Sequence, residues 1–294
     1  MLEPGTVAVL GPGGIGGLLA ALLSRAGHRV ICVAGEETAR TLRQDGIRVR
    51  SVQFGDFTAT VEADTELREQ VGLCLIAVKH TSLDVALDRV PPGVLGDDAL
   101  VVPLLNGIEH PEALRERYGE RVVPGMIRAE STRVAPGVVE HGTPFTEVDL
   151  AGSPERLGGV AAVLEAAGVR VRIVEDETTA LWAKLALLAP FALLTTRYRA
   201  PIGDVRTGRR DELVALVEEA AAVSRACGAP ADPAAVLARY DAFPPSTKSS
   251  MLRDAEAGRP LELDAIGGAL LRAAERHAVE VPVAARLVAE LTAG

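Results

Sequence analysis

The chain has 294 residues, enough for one large domain or two ordinary ones. With 48% hydrophobic and 24% charged residues it has the balance of a globular protein and not of a disordered one. A net charge of −9 and an aromatic content of 3% argue against nucleic acid or an anionic membrane as partner, which call for basic patches and stacking platforms.

The opening MLEPGTVAVLG lacks the basic stretch of a leader, and a strand over 6–10 (TVAVL) is expected at once. Glycines follow, then an apolar helix over 15–27. A second strand over 29–34 (RVICVA) leads to a helix over 37–46 that stops at glycine. Residues 47–62 alternate by twos like a hairpin. Strand, helix and strand return over 74–78, HTSLDVALDRV and 99–105. Continuous apolar strands separated by helices predict a parallel sheet covered on both faces. From 121 to 152 the chain is strand-rich and suggests antiparallel additions, closed by a helix near 155–168 and a strand over 170–174.

After Val174 the strand pattern ends. Acids and threonines open a long apolar helix, EDETTALWAKLALLAPFALLTT, and further helices are expected around 208–228, 231–240, 246–257, 261–278 and 282–292. The expected fold class is α/β: a Rossmann-type, mostly parallel sheet domain over 1–176, then an all-helical domain over 177–294. No apolar run reaches the ~18 residues of a membrane span. Cys32, Cys74 and Cys227 have no metal or redox spacing, and the first two fall in buried strands, so they read as small apolar fillers in a reducing cytoplasm.

Gly11, Gly13 and Gly16 form G-x-G-x-x-G between a strand and a helix. The first glycine permits the tight turn, the second lets a pyrophosphate approach the backbone, and the third lets helix and strand pack closely. Gly11, Pro12, Gly13, Gly14, Ile15 and Gly16 are therefore the expected phosphate cradle, with the helix N-terminus adding N–H groups and a positive dipole end. At the end of the second strand Glu36 or Glu37 could bind ribose hydroxyls, whereas Arg40 could meet a 2′-phosphate. The residues leave NADP and NAD both open.

Of 31 basic residues only Lys79, Lys184 and Lys248 are lysine, and Asn106 is the only asparagine. A chain that writes arginine for surface cations keeps lysine where an ammonium that can give up its proton is needed. Lys79 and Asn106 close two apolar runs, CLIAVK and ALVVPLLN, at the strand ends where ligands of open α/β sheets bind. Lys184 lies mid-helix beside Trp182, the one tryptophan; burial would lower its pKa and suit it to protonate an alkoxide. Such an ammonium needs a carboxylate, and Glu262 is the candidate. Arg197, Arg199, His110 and His141 read as bystanders.

LGPGGIG (10–16), AVKHTSLD (77–84), LLNGIEH (104–110), LWAKLAL (181–187), SSMLRDAEAGRPLELD (249–264) and HAVEVP (277–282) follow one another in an order and spacing that resemble the ketopantoate reductases over nearly the whole chain. That resemblance implies NADP-dependent reduction of the carbonyl of a small 2-oxo acid, 2-dehydropantoate or a close analogue, in pantothenate biosynthesis. It implies Lys184 as general acid with Glu262 as its partner. Lys79 and Asn106 would contact cofactor and substrate, and Ser250 would donate to the substrate carboxylate with Asp254 supporting it from one turn on. The reaction would run where the two domains face each other. No metal is implied, and a homodimer is the assembly to test.

Two features depart from the family pattern. Leu188 and Ala192 stand where asparagines usually follow the lysine, as if the substrate offered hydrocarbon in place of a hydroxyl. Gly35 stands where an arginine usually reads the 2′-phosphate. The alternatives are a related reductase acting on a less polar oxo compound, a hydroxyacid dehydrogenase of a neighbouring family, and a dinucleotide-binding sensor that has lost catalysis.

Overall fold

The computed structural model describes residues 5–293; the first four residues of the expected leaderless start lie outside them. The chain folds as two compact units. One runs to Leu105 and resumes over His110–Glu177; the other comprises Asn106–Glu109 and the chain from Thr178 onward.

In the first unit, β1 (Val7–Leu10), α1 (Gly14–Arg25), β2 (Val30–Val33) and α2 (Glu36–Asp45) open the chain. β3 (Ile47–Ser51), β4 (Phe57–Ala59), β5 (Glu62–Asp64), β6 (Val71–Ile76), α3 (Leu83–Leu87), β7 (Leu95–Pro103) and α4 (His110–Tyr118) follow. β8 (Gly125–Arg128), β9 (Ser131–Ala135), β10 (Val138–His141), β11 (Glu147–Ala151), α5 (Pro154–Ala166) and β12 (Arg170–Val174) complete it.

Where one sheet with additions was expected, three form among the described residues. The largest has the order β5-β2-β1-β6-β7, with every pair parallel. Counted along the chain that is 3-2-1-4-5, the dinucleotide-binding order, and its direction of winding reverses between β1 and β6. The expected hairpin is present as β3 and β4, but it belongs to a second sheet, β4-β3-β10-β9, while β5 joins the first. The third sheet is β12-β11-β8.

The second sheet explains why α1 has no polar face. Gly16 through Leu23 are all buried, because the helix packs among the first sheet and the strands of the second, Ile47, Val49 and Val139 sharing its core. A helix apolar all round must be covered all round. The approach is close: a Cβ on Gly14 would lie 2.1 Å from the Ser131 carbonyl oxygen, and one on Gly17 would lie 2.9 Å from Val139 Cγ2.

The second unit holds α6 (Glu177–Tyr198), α7 (Ile202–Gly208), α8 (Arg210–Ala226), α9 (Pro233–Ala242), α10 (Ser250–Glu256), α11 (Ala269–Arg276) and α12 (Pro282–Ala293). A π turn, Asp264–Gly268, leads directly into α11. By length and composition α6 could cross a membrane, contrary to the reading that no apolar run is long enough, but 61% of its most apolar window is buried inside the fold. Trp182, Leu185, Ala189, Ala192 and Leu193 pack there with Ile266, Leu270 and Tyr240.

His141 shows how a buried polar group is kept. It is 2% exposed on β10 and stacks on Phe54 with ring centroids 5.8 Å apart. The Ser51 hydroxyl accepts from the N–H groups of Gln53 and Phe54, so its proton goes to His141 Nδ1 at 2.9 Å. Thr143 Oγ1 donates to the Phe145 carbonyl and therefore accepts from Nε2 at 2.9 Å. The ring is thus neutral with its proton on Nε2, and burial holds its pKa below the ordinary 6.5 against the weaker opposing pull of Phe145 and Glu130. A histidine whose pKa falls on folding contributes stability present above pH ~6.5 and lost as pH drops towards its folded pKa. The melting temperature should therefore fall between pH 7.5 and pH 5.5, and His141→Gln should flatten that part of the profile in scanning calorimetry.

Candidate active site

The glycine turn lies at the carboxyl end of β1, at the point where the winding of the sheet reverses. Gly11 has φ +84°, and a Cβ there would lie 2.5 Å from Val78 Cγ1. On Gly16 a Cβ would lie 2.2 Å from the Gly11 oxygen, so this position holds helix to strand. Gly13 differs: the nearest atom to a Cβ there is 4.0 Å away. That open space beside the backbone is what a pyrophosphate needs. No side chain caps the N-terminus of α1 and its first turn carries no acid, so its N–H groups face the same space with the positive end of the helix dipole. These residues fit a dinucleotide. Ser131, missed in the sequence, braces the turn by donating to the Gly14 carbonyl at 2.8 Å.

Lys79 follows β6, the strand across the reversal from β1, and is half-buried just before a single helical turn, His80–Ser82. At the end of β2, Gly35 caps α2 with φ −66° and ψ 157°, and nothing lies within 4 Å of the place a Cβ would take. Glu36 and Glu37 occupy the exposed first turn of α2. Three nearby arginines are already engaged: Arg89 with the Ala34 and Thr65 carbonyls, Arg68 with Asp64, and Arg43 with Glu36 at 3.5 Å.

In the helical unit Asn106 Nδ2 donates to Glu262 Oε2 at 3.0 Å, so two expected site residues 156 positions apart meet. Glu262 is 7% exposed and immediately precedes the helix that carries the π turn. Gly107, at φ +89°, lets the loop lie flat on that turn, since a Cβ would be 2.5 Å from the Ala265 oxygen. Lys184 is half-buried on α6, whose Leu193 packs near Gly267 of the π turn.

The two adjacent serines divide their work. Ser249 is the N-cap of α10, accepting from the Leu252 N–H at 3.0 Å. Thr195 Oγ1 donates to the Phe191 carbonyl and thus accepts from Ser249 Oγ at 2.7 Å, tying α10 to α6. Ser250 is the exposed member of the pair. Asp254, one turn beyond Ser250 on α10, is 5% exposed and pairs with Arg259 at 2.8 Å. Leu188 is half-buried beside Phe191, whereas Ala192 is fully enclosed in the helical core.

Arg197 pairs with Glu290 at 2.5 Å on the surface, and Lys248 pairs with Glu256 at 2.6 Å. Cys32 and Cys74 are buried in β2 and β6, which pushes both thiols up to about 12. Among the described residues no group of three or more His, Cys, Asp or Glu stands where it could hold a metal ion.

The comparisons with known proteins cover the same two units. The family model described as ketopantoate reductase PanE/ApbA matches residues 7–151, and its C-terminal counterpart matches 176–293. The 2-dehydropantoate 2-reductase of Caulobacter vibrioides is 30% identical over 98% of both chains. That of Mycobacterium tuberculosis is 32% identical over 98% of this chain and 97% of its own. The crystal structure of 2-dehydropantoate 2-reductase from Methylococcus capsulatus superposes with a TM-score of 0.86 at 30% identity, covering 98% of this chain and 96% of that one. With the order of the parallel sheet, the glycine turn and the Asn106–Glu262 pair, these matches place the chain in the ketopantoate reductase family.

Proposed function

We propose that the protein is an NAD(P)H-dependent reductase that converts the carbonyl of a 2-oxo acid to a secondary alcohol. The observation that carries this reading is the buried Glu262 bonded to Asn106 in a chain of this family. Gly11, Pro12, Gly13, Gly14, Ile15 and Gly16 would hold the pyrophosphate, and Lys79 a ribose or phosphate oxygen. A bound nicotinamide supplies the hydride. Ser250 would donate to the substrate carboxylate and Asn106 would orient the carbonyl. Lys184, steadied by Glu262, would give its proton to the alkoxide oxygen as negative charge develops there. A small diffusible acid as the substrate, no nucleic acid partner and a cytoplasmic setting belong to the same reading.

Removal of a general acid costs about 10²–10⁴ in rate. Lys184→Ala should therefore lower kcat by at least about a hundredfold while calorimetric binding of the reduced cofactor changes little. Retained turnover would refute the assignment, and a protein that binds the cofactor but reduces no oxo acid would be a sensor.

A second reading concerns the substrate. Leu188, one turn beyond Lys184, is apolar and half-buried, and Ala192, a turn further, is enclosed in the helical core, so neither position offers an amide. A site without the amides that would pair with a substrate hydroxyl has little means of preferring the hydroxylated acid. A branched or aromatic 2-oxo acid should accordingly be reduced with higher kcat/KM than 2-dehydropantoate. Leu188→Asn, at the half-buried position, should shift the ratio back towards 2-dehydropantoate in a substrate panel.

The resemblance implies NADPH, and the end of β2 admits NADH as well: Glu37 suits a ribose diol, Glu36 is paired with Arg43, and the exposed Arg40 could meet a 2′-phosphate. Gly35→Arg places a cation there without a clash. It should tighten NADPH binding about tenfold or more in titration calorimetry, the gain of a charge-assisted phosphate contact. An unchanged NADPH affinity in that variant would overturn this reading of the β2 end.

A further inference from the structure

The four residues Asn106–Glu109 leave the last strand of the parallel sheet and count with the helices. Each has its own hold there. Asn106 bonds Glu262, Gly107 lies on the Ala265 carbonyl, and Ile108 packs on the helical core. Glu109 is gripped by Arg272 of α11, whose Nε donates to Oε1 at 3.0 Å and whose Nη2 donates to Oε2 at 2.7 Å. The remaining arm of the same guanidinium, Nη1, donates to Asp264 Oδ1 at 2.7 Å, on the first residue of the π turn.

One planar cation therefore joins the end of the loop to the start of the turn, and Asn106 meets Glu262 three and two residues before those fixed points. We propose that Arg272, through Glu109 and Asp264, is a positioning residue that sets the Asn106 amide against Glu262. The fork geometry matters: two bonds to one carboxylate and a third to another fix an orientation that an ammonium cannot. Arg276, 3.9 Å from Glu109, is too distant to take over the grip. A misplacement of about 1 Å remote from the reacting atoms can cost on the order of a hundredfold in rate.

The catalytic arm of the test rests on the reductase reading; the structural arm does not. Arg272→Gln and Glu109→Gln should each lower kcat about tenfold with little change in the dissociation constant of the reduced cofactor, and Arg272→Lys should restore part of the loss. In an Asn106→Ala background, Arg272→Gln should cost nothing further, because the group it acts through is gone. Multiplying effects in that background, or unchanged kcat in Arg272→Gln, would overturn the proposal. If the unaltered protein reduces no 2-oxo acid, the functional reading fails by itself. Hydrogen exchange of the 106–109 amides then decides: faster exchange in Arg272→Gln with α8 unchanged supports the positioning role, and equal exchange refutes it.

Discussion

The hydrogen bond from the Asn106 amide to the buried Glu262 carboxylate constrains the loop and the turn on either side of it. A carboxylate taken out of water is tolerable only when its oxygens are paired. Here the donor comes from a loop that starts three residues beyond a β-strand, so the loop has little freedom: it must turn at once, lie flat and be tied down. Gly107 supplies the turn, the π turn opens a flat carbonyl surface, and Arg272 ties the far end. A π turn is one extra residue in a helix, and such insertions gather at functional sites. In this chain the insertion directly follows the carboxylate it serves.

A second constraint works at the glycine turn. The helix that follows the glycine turn is enclosed by two sheets, and the second sheet lies so close that a Cβ on Gly14 would be 2.1 Å from the Ser131 oxygen and one on Gly17 2.9 Å from Val139 Cγ2. The fingerprint glycines are thus five in practice, three for the nucleotide turn and two for the strands behind it. The enclosure also fixes the helix axis, which is what lets a turn of small residues act as a rigid anion cradle.

Periodicity made the element order legible, because buried parallel strands and amphipathic helices leave their spacing in the chain. The split into three sheets was not: β5 is three residues long, and its choice of partner is settled by a strand far away in sequence. Asn106, Lys184 and Glu262 stood out through rarity and context. Arg272 did not, being one arginine among 28, and nothing local marks it as the residue that grips Glu109 from 163 positions away. Ser249 and Ser250 looked alike in the chain; the cap geometry separated them. Asp254, one helical turn beyond Ser250, also pairs with Arg259 five residues on, a partner that the chain alone did not point to.

The three cysteines were set aside as packing residues, yet their placement gives the protein an internal means of observing its own opening. Cys32 and Cys74 sit in neighbouring halves of the parallel sheet with thiols pushed far from reactivity, and Cys227 ends α8 in the helical unit. A thiol reagent added during gradual denaturation would mark Cys32 and Cys74 only as the sheet opens, with the partly exposed Cys227 as a reference thiol in the same chain. The native chain thus carries a chronometer for the opening of its sheet that needs no engineered label.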